Sequence, residues 1–259
     1  MAKAPFKFDL GETFRHLSKP PIVEAIIHWQ ARSQKEWEAE GLRAELSKLL
    51  PEYTTCDPMQ QLQVDFAAEI SEDEKPPLTR HQHQWHGYRL ATKDNKYIAQ
   101  FTRDGLAVSR RQPYQDWEEF SAEAKRVWQV FTSVAQPVDV QRLGVRFINR
   151  LESATFENLG DFLPDPPTCP SNLPLNELFY QSSFTVPGQP FGVRVIKLMQ
   201  RPVEGQTQNT GLFLDFDVYT ETPLSRPDEE LDDSLKTMRW LKNKVFFDLL
   251  TDKAIALYR

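Results

Sequence analysis

The segment VDVQRLGVRFINRL, residues 138–151, alternates between apolar and polar side chains with the two-residue period of a β-strand. The large apolar side chains on one side are Leu143, Val145, Phe147 and Leu151. The arginines on the other side are Arg142, Arg146 and Arg150. A strand with this pattern predicts a sheet in which helices cover one face and the other face is left open.

Sequence patterns on both sides of this segment extend the predicted sheet. The run after two prolines, residues 22–29, is rich in β-branched and aromatic residues. Further strands are predicted at residues 61–66, 85–111, 179–186, 191–203 and 212–220. Apolar residues at helical spacing predict helices at residues 40–50, at 117–134 and from about 228 onward, and a short helix is predicted at 156–162.

Sets of antiparallel strands that are each followed by a long one-sided helix predict an α+β fold. The two halves, about 20–136 and 138–259, show the same order of strand, helix, antiparallel strands and long helix. Aligning VEAIIHWQAR with QRLGVRFINR places Ile27 with Val145. We therefore predict one domain of two pseudo-repeats that share an extended antiparallel sheet, with helices on one face and residues 1–19 as an N-terminal extension.

Composition narrows the class of protein. The chain has 259 residues and a formal net charge of -6, which disfavours a general nucleic-acid binder but leaves room for a local basic patch. Its two cysteines, Cys56 and Cys169, lie far apart and fit a reducing compartment. No segment has the composition of a signal peptide or a membrane span. We expect a cytoplasmic protein that does not associate with a membrane.

Three segments of the chain resemble a known family. PPIVEAI near the start, RLGVRFINR in mid-chain and FLDFDVYT before the last helix are similar to landmarks of a sporadically distributed family of bacterial proteins with no assigned activity. The resemblance spans most of the chain, but its motifs are structural in character. It implies a bacterial cytosolic origin and the patchy occurrence of accessory or defence-type genes, and it implies no reaction.

The row of arginines is the first candidate binding site. At about 3.3 Å per residue, Arg142, Arg146 and Arg150 follow one another at spacings of about 13 Å along one face of their strand. Guanidinium groups bind carboxylates and phosphates through bidentate hydrogen bonds, so this face suits an extended anionic partner. The alignment of the two halves adds His28 and Arg32 to the candidate residues.

A structural role is an alternative for the same arginines. Asp215 and Asp217 alternate with Leu214 and Phe216 in FLDFDVY, and they are placed to form ion pairs with the arginines across the sheet. The sequence leaves both interpretations open.

Three histidines within six positions, His81, His83 and His86, suggest a metal site. In an extended strand, however, the first two point to one side and the third points to the other, and zinc requires at least three protein ligands. An exposed polar strand is therefore the preferred interpretation. The chain contains no phosphate-binding loop, no dinucleotide fingerprint, no zinc-protease motif and no nucleophile elbow, so no catalytic residue and no cofactor is assigned.

These observations favour a non-enzymatic binding or interaction module, an accessory or antidote-type component of a defence or two-gene system with a protein partner. The second hypothesis is an RNA-binding or RNA-processing protein that uses the arginine-bearing face. The third is a metal-dependent hydrolase that uses the three histidines.

Overall fold

One antiparallel sheet organises the chain. The computed structural model describes residues 6–66, 79–153, 158–167, 170, 173, 175–200, 210–224 and 227–259. The strands are β1 (Ile22–Gln30), β2 (Thr55–Phe66), β3 (Thr79–Ala91), β4 (Tyr97–Thr102), β5 (Gly105–Arg111), β6 (Arg142–Ser153), β7 (Glu177–Thr185), β8 (Phe191–Gln200) and β9 (Thr210–Thr220). Within the described residues they form a nine-stranded sheet in the order β2-β3-β4-β5-β1-β6-β9-β8-β7.

The helices are α1 (Ala39–Leu49), α2 (Trp117–Ala135), α3 (Pro227–Leu249) and α4 (Asp252–Ala256). Helix α1 packs against β3, α2 packs against β5, and α3 packs against β6 and β9. The predicted α+β class is therefore confirmed. In the part of the chain that is described, no helix is long and apolar enough to cross a membrane.

The sheet has a covered face and an open face. The covered face carries the buried side chains that pack beneath the helices, including Ala25, Ile27 and Trp29 on β1 and Leu143, Val145 and Phe147 on β6. The open face is the opposite side, and it carries Glu24, Ile26 and His28 on β1 and Arg142, Arg146 and Arg150 on β6. The predicted alternation is thus confirmed on both faces from Arg142 to Leu151, whereas residues 138–141 lie before the strand.

The two central strands, β1 and β6, join the two halves of the sheet. They pair antiparallel, and Ile27 lies directly opposite Val145. These two residues are also the ones that the alignment of the two halves places together, so a two-fold axis relating the predicted repeats would pass between them. In each half the last strand, β5 or β9, pairs beside the first. The internal repeat itself stays a prediction.

Several elements differ in extent from their predicted bounds. Strand β2 begins six residues earlier than predicted, at Thr55, where it pairs with Ala91 at the end of β3. Where a helix was predicted at residues 156–162, the described part contains a 3-10 helix, Leu159–Asp161. Asn158 accepts a hydrogen bond from the amide of Gly160 at 3.0 Å, which closes a tight turn there. Residues 154–157 lie outside the described part of the chain.

Aromatic stacking between the sheet and α2 stabilises the first half. The side chain of Trp29 is fully buried, and its ring stacks on Trp128 with centroids 5.2 Å apart and an interplanar angle of 11°. Offset stacking of this kind adds to the free energy gained by burial. Strand β1 is therefore fixed to the helix layer at this point.

We expect Trp29→Ala to lower the free energy of unfolding by about 3–5 kcal/mol, because it removes a large buried ring and leaves a cavity. Urea denaturation followed by circular dichroism measures the change. Gln30→Ala, at the exposed neighbouring position of the same strand, is the control and should change stability by less than about 0.5 kcal/mol. Equal effects of the two substitutions would contradict this account of the core.

Candidate functional site

Carboxylates of the neighbouring strand neutralise the first two arginines of the open face. Arg142 Nη2 donates to Asp217 Oδ2 at 2.6 Å. Arg146 forms a bidentate pair with Asp215, with Nε to Oδ1 at 2.8 Å and Nη2 to Oδ2 at 2.5 Å. The hydrogen bond to Asp215 also raises the pKa of the Arg146 guanidinium. The sequence left ion pairing with Asp215 and Asp217 as an alternative, and this pairing is confirmed for Arg142 and Arg146.

The third arginine has partners as well. Arg150 Nη1 lies 3.0 Å from Glu152 Oε1, and its guanidinium carbon lies 5.7 Å from the centroid of the Phe213 ring. All three arginines thus take part in interactions within the chain. An anionic ligand on this face would have to compete with those carboxylates.

Two glycines allow side chains to lie flat across the open face. A Cβ atom on Gly144 would lie 2.7 Å from Arg142 Nη1, and one on Gly192 would lie 2.5 Å from Cζ of Tyr219. The guanidinium of Arg142 stands 4.6 Å from the centroid of the Tyr219 ring, and that of Arg194 stands 5.9 Å from it. Tyr219 is therefore the centre of a compact cluster of cations around an aromatic ring.

His28 belongs to the same part of the open face. It pairs in register with Ala107 of β5 and Gly144 of β6, and it is half-buried. Burial lowers the pKa of its imidazole, Arg142 lowers it further, and Asp217 acts in the opposite direction. The histidine is therefore neutral at pH 7 and adds no positive charge to the face.

Arg32 does not join the candidate group. It lies two residues beyond the end of β1 and is exposed. The last residue of β1, Gln30, pairs with Arg142, so Arg32 lies beyond that end of β6 while Arg150 is near its other end. The alignment of the halves paired Arg32 with Arg150, but the antiparallel direction of the two central strands separates them.

The three histidines lie on one strand. The backbones of His81 and His83 belong to β3 and pair with Val64 and Leu62, whereas their side chains lie outside the part that the structure describes. The imidazole Nε2 of His86 is 3.6 Å from Asp104 Oδ2. Among the side chains that are described, no three metal-binding residues form a group that could hold an ion.

A cavity on the covered side is a second candidate site, and sequence reasoning missed it. It has a volume of about 530 Å³ and lies between the N-terminal segment 10–17, the start of α2, strand β6 and helix α3. We call it the α3 cavity. The aromatic residues that line it are Phe14, Tyr114, Trp117, Phe147, Phe216, Trp240, Phe246 and Phe247.

Lys242 of α3 lines this cavity. Its amine lies 4.0 Å from the centroid of the Phe147 ring, a cation–π contact. Within the described part of the chain, no carboxylate oxygen comes within 4.0 Å of the amine. Burial and, to a smaller extent, the charge of Arg239 lower the pKa of Lys242 from 10.5 to about 7, and Glu118 partly opposes this shift. The side chain is therefore a half-buried base whose amine is desolvated in the cavity wall, with a pKa shifted toward neutral pH.

The spacing of apolar residues along α3 identifies this lysine as an exception in the sequence. Lys242 follows Met238 by four residues and precedes Phe246 by four, and both of these neighbours are buried. Residues at this spacing share one helix face. A lysine in the middle of an apolar stripe is an exception to the expected pattern, and such exceptions concentrate at functional sites.

The chain matches no known protein family and no protein of curated function. The resemblance of its three landmark segments to a sporadic bacterial family therefore stays a prediction.

We expect the Arg142–Asp217 pair to stabilise the fold by a coupling energy of about 1–2 kcal/mol, because both side chains are largely buried, at 25% and 15% exposed. A double-mutant cycle with Arg142→Gln and Asp217→Asn, analysed by urea denaturation, measures this energy. The exposed pair Arg15–Asp252, at 57% and 83% exposed, is the control, with a coupling below about 0.5 kcal/mol. A coupling for the buried pair no larger than the control value would contradict the expectation.

Lys242 should make stability depend on pH. The folded protein holds this proton more weakly than the unfolded chain does, so protonation favours unfolding, and the free energy of unfolding should rise as pH increases above about 7. Lys242→Met removes this cost and should stabilise the protein by about 1–3 kcal/mol near pH 6.

The difference in stability between Lys242→Met and wild type should shrink between pH 6 and pH 9, as measured by urea denaturation. Lys253→Met is the matched control, because that lysine side chain is 70% exposed, and its effect should be the same at both pH values. A constant effect of Lys242→Met would show that the amine is not desolvated in the folded state.

Proposed function

We propose that this protein is a non-enzymatic interaction module, an accessory or antidote-type component of a bacterial cytosolic two-gene system. In this proposal it binds an extended segment of a partner protein, which adds a tenth strand to the sheet at β7. The observation that carries the proposal is the exposed aromatic edge formed by that strand.

Strand β7 ends the sheet, and among the described residues only one side of it is paired, with β8. The amide of Val186, which directly follows β7, donates to the carbonyl of Phe191, the first residue of β8, at 2.9 Å. Because inward and outward hydrogen bonding alternates along an antiparallel ladder, the backbone groups of Phe179, Gln181 and Ser183 point outward. An extended segment can bind these donors and acceptors as an added strand.

The side chains of this edge strand are unusually apolar for exposed positions. Phe179 is 68% exposed, Tyr180 is 53% exposed and Phe184 is 56% exposed. Natural sheets protect their edges with charges, prolines or covering elements. An exposed edge with three aromatic side chains is therefore suited to bind the alternate apolar side chains of a partner strand.

A positive charge beside β7 suggests which charged residue the partner segment contains. Arg194 on β8 is exposed, lies next to Ser183 of β7 and faces Asp217 of β9 in register. The carboxylate of Asp217 is already bound to Arg142, and within the described residues Arg194 forms no ion pair. We therefore expect the partner segment to combine apolar residues with an acidic residue.

The pairing of the open-face arginines favours this proposal over an RNA-binding role. A polyanion gains affinity from cations whose counterions it releases, but Arg142 and Arg146 are already held by Asp217 and Asp215. Binding of a phosphate chain along this face would leave two largely buried carboxylates without their partners, which is costly.

We expect decapeptides selected from a random phage-displayed library to combine apolar residues with an acidic residue. Their affinity should fall at least about tenfold with Ser183→Pro. The proline removes one outward amide without removing a hydrogen bond between β7 and β8. Fluorescence anisotropy with the selected peptide, synthesised and labelled, measures the affinity. Ser183→Ala is the matched control and should bind as wild type does.

Arg194→Gln should reduce the preference for acidic peptides and leave the apolar preference unchanged. Peptides that bind the Ser183→Pro variant as tightly as wild type would overturn edge binding. Self-association of the wild-type chain that Ser183→Pro abolishes would show that the occupant of the edge is a second copy, and it would overturn the proposed partner.

A further inference from the structure

We propose that the α3 cavity is a binding site for a small organic carboxylate with an aromatic body, in which Lys242 pairs with the carboxylate and the aromatic walls hold the rest. This site lies on the covered side of the sheet and is independent of the edge-binding proposal.

The size and walls of the cavity suit such a ligand. Its volume of about 530 Å³ lies within the range of pockets that bind small molecules, about 300–1,000 Å³. Two rings of the wall, Phe14 and Phe247, stack on each other with centroids 5.6 Å apart and an interplanar angle of 6°. Flat aromatic walls favour a flat apolar ligand body over a sugar or a peptide.

The acidic side chains around the cavity are all committed to other partners. Glu118 Oε1 accepts from Arg239 Nη1 at 2.7 Å, and Glu12 binds Lys244 at 3.0 Å. The remaining acid, Asp116, accepts from the backbone amide of Glu119 at 2.7 Å as the N-cap of α2. Lys242 is thus left with an aromatic ring and no carboxylate, so an anion from outside the chain would complete its ion pair.

A second polar group lines the same cavity. The hydroxyl of Tyr114 is buried and has no hydrogen-bond partner among the described residues. The ring of Tyr114 meets the ring of Phe147 edge to face at 5.6 Å, and the amine of Lys242 lies on that same Phe147 ring at 4.0 Å. We expect a carboxylate bound in the cavity to accept from this hydroxyl and to pair with the ammonium, so that two groups without such partners are satisfied together.

The charged and titratable side chains that line the cavity with Lys242 come from three parts of the chain. They are Glu12, Arg15 and His16 of the N-terminal segment, Tyr114, Asp116 and Glu118 at the start of α2, and Lys236 and Arg239 of α3 itself. Most of the charged members have an ion-pair or capping partner. The pH dependence of ligand binding must therefore be assigned to Lys242 and not to His16. The variant His16→Gln makes this distinction.

The test uses 2-naphthoate as the probe and 2-naphthamide as its uncharged analogue, with binding to the full chain measured by isothermal titration calorimetry near pH 6. We expect the carboxylate to bind at least about tenfold more tightly than the amide. Lys242→Met should remove this preference, and Tyr114→Phe should weaken the binding of 2-naphthoate several-fold. Lys253→Met should bind as wild type does.

The affinity for 2-naphthoate should also fall about tenfold or more between pH 6.5 and pH 8.5, because the free lysine loses its proton in this interval. The His16→Gln variant should keep this dependence, and Lys242→Met should lack it. Equal binding of 2-naphthoate and 2-naphthamide to the wild-type protein would overturn the proposal even if Lys242→Met failed to fold. Retention of the pH dependence in Lys242→Met would overturn the assignment of the site to this residue.

Discussion

The fold depends on the different environments of the two sides of strand β6. Its apolar set, including Leu143 and Val145, is buried beneath the helix layer, whereas its arginines lie on the open face. Shifting the strand by one residue would place guanidinium groups in the core and apolar side chains in water, a change that no local adjustment could offset. This constraint fixes the register of β6 against both neighbours, and the two candidate sites lie on opposite sides of the same strand.

Much of the fold could be predicted because it follows from local periodicity. The two-residue alternation of β6 and the helical spacing in α2 each identify an element and its buried side without knowledge of its neighbours. The pairing of Arg146 with Asp215 could also be proposed, since both residues alternate away from apolar neighbours. The start of β2 was harder to predict from the sequence, because the pairing of Thr55 with Ala91 depends on a partner strand.

The parts of the candidate sites that were missed depend on the spatial order of the strands. The exposure of Phe179 and Phe184 follows from the position of β7 at the end of the sheet, which its own sequence does not reveal. The separation of Arg32 from Arg150 follows from the antiparallel direction of β1 and β6. Lys242, in contrast, can be identified from the sequence alone, because its neighbours on α3 mark it as a polar residue on a buried stripe. A search for exceptions to periodicity would have found it.

The pairing of β1 with β6 has a consequence for biosynthesis. Ile27 leaves the ribosome well over a hundred residues before Val145, its partner across the centre of the sheet. Until then, the nascent first half carries a central strand with one unpaired, largely apolar edge, a surface prone to aggregation. Contacts between residues so distant in sequence also slow folding. Completion of the sheet therefore awaits translation of the second half, and chaperones have a long interval in which to act.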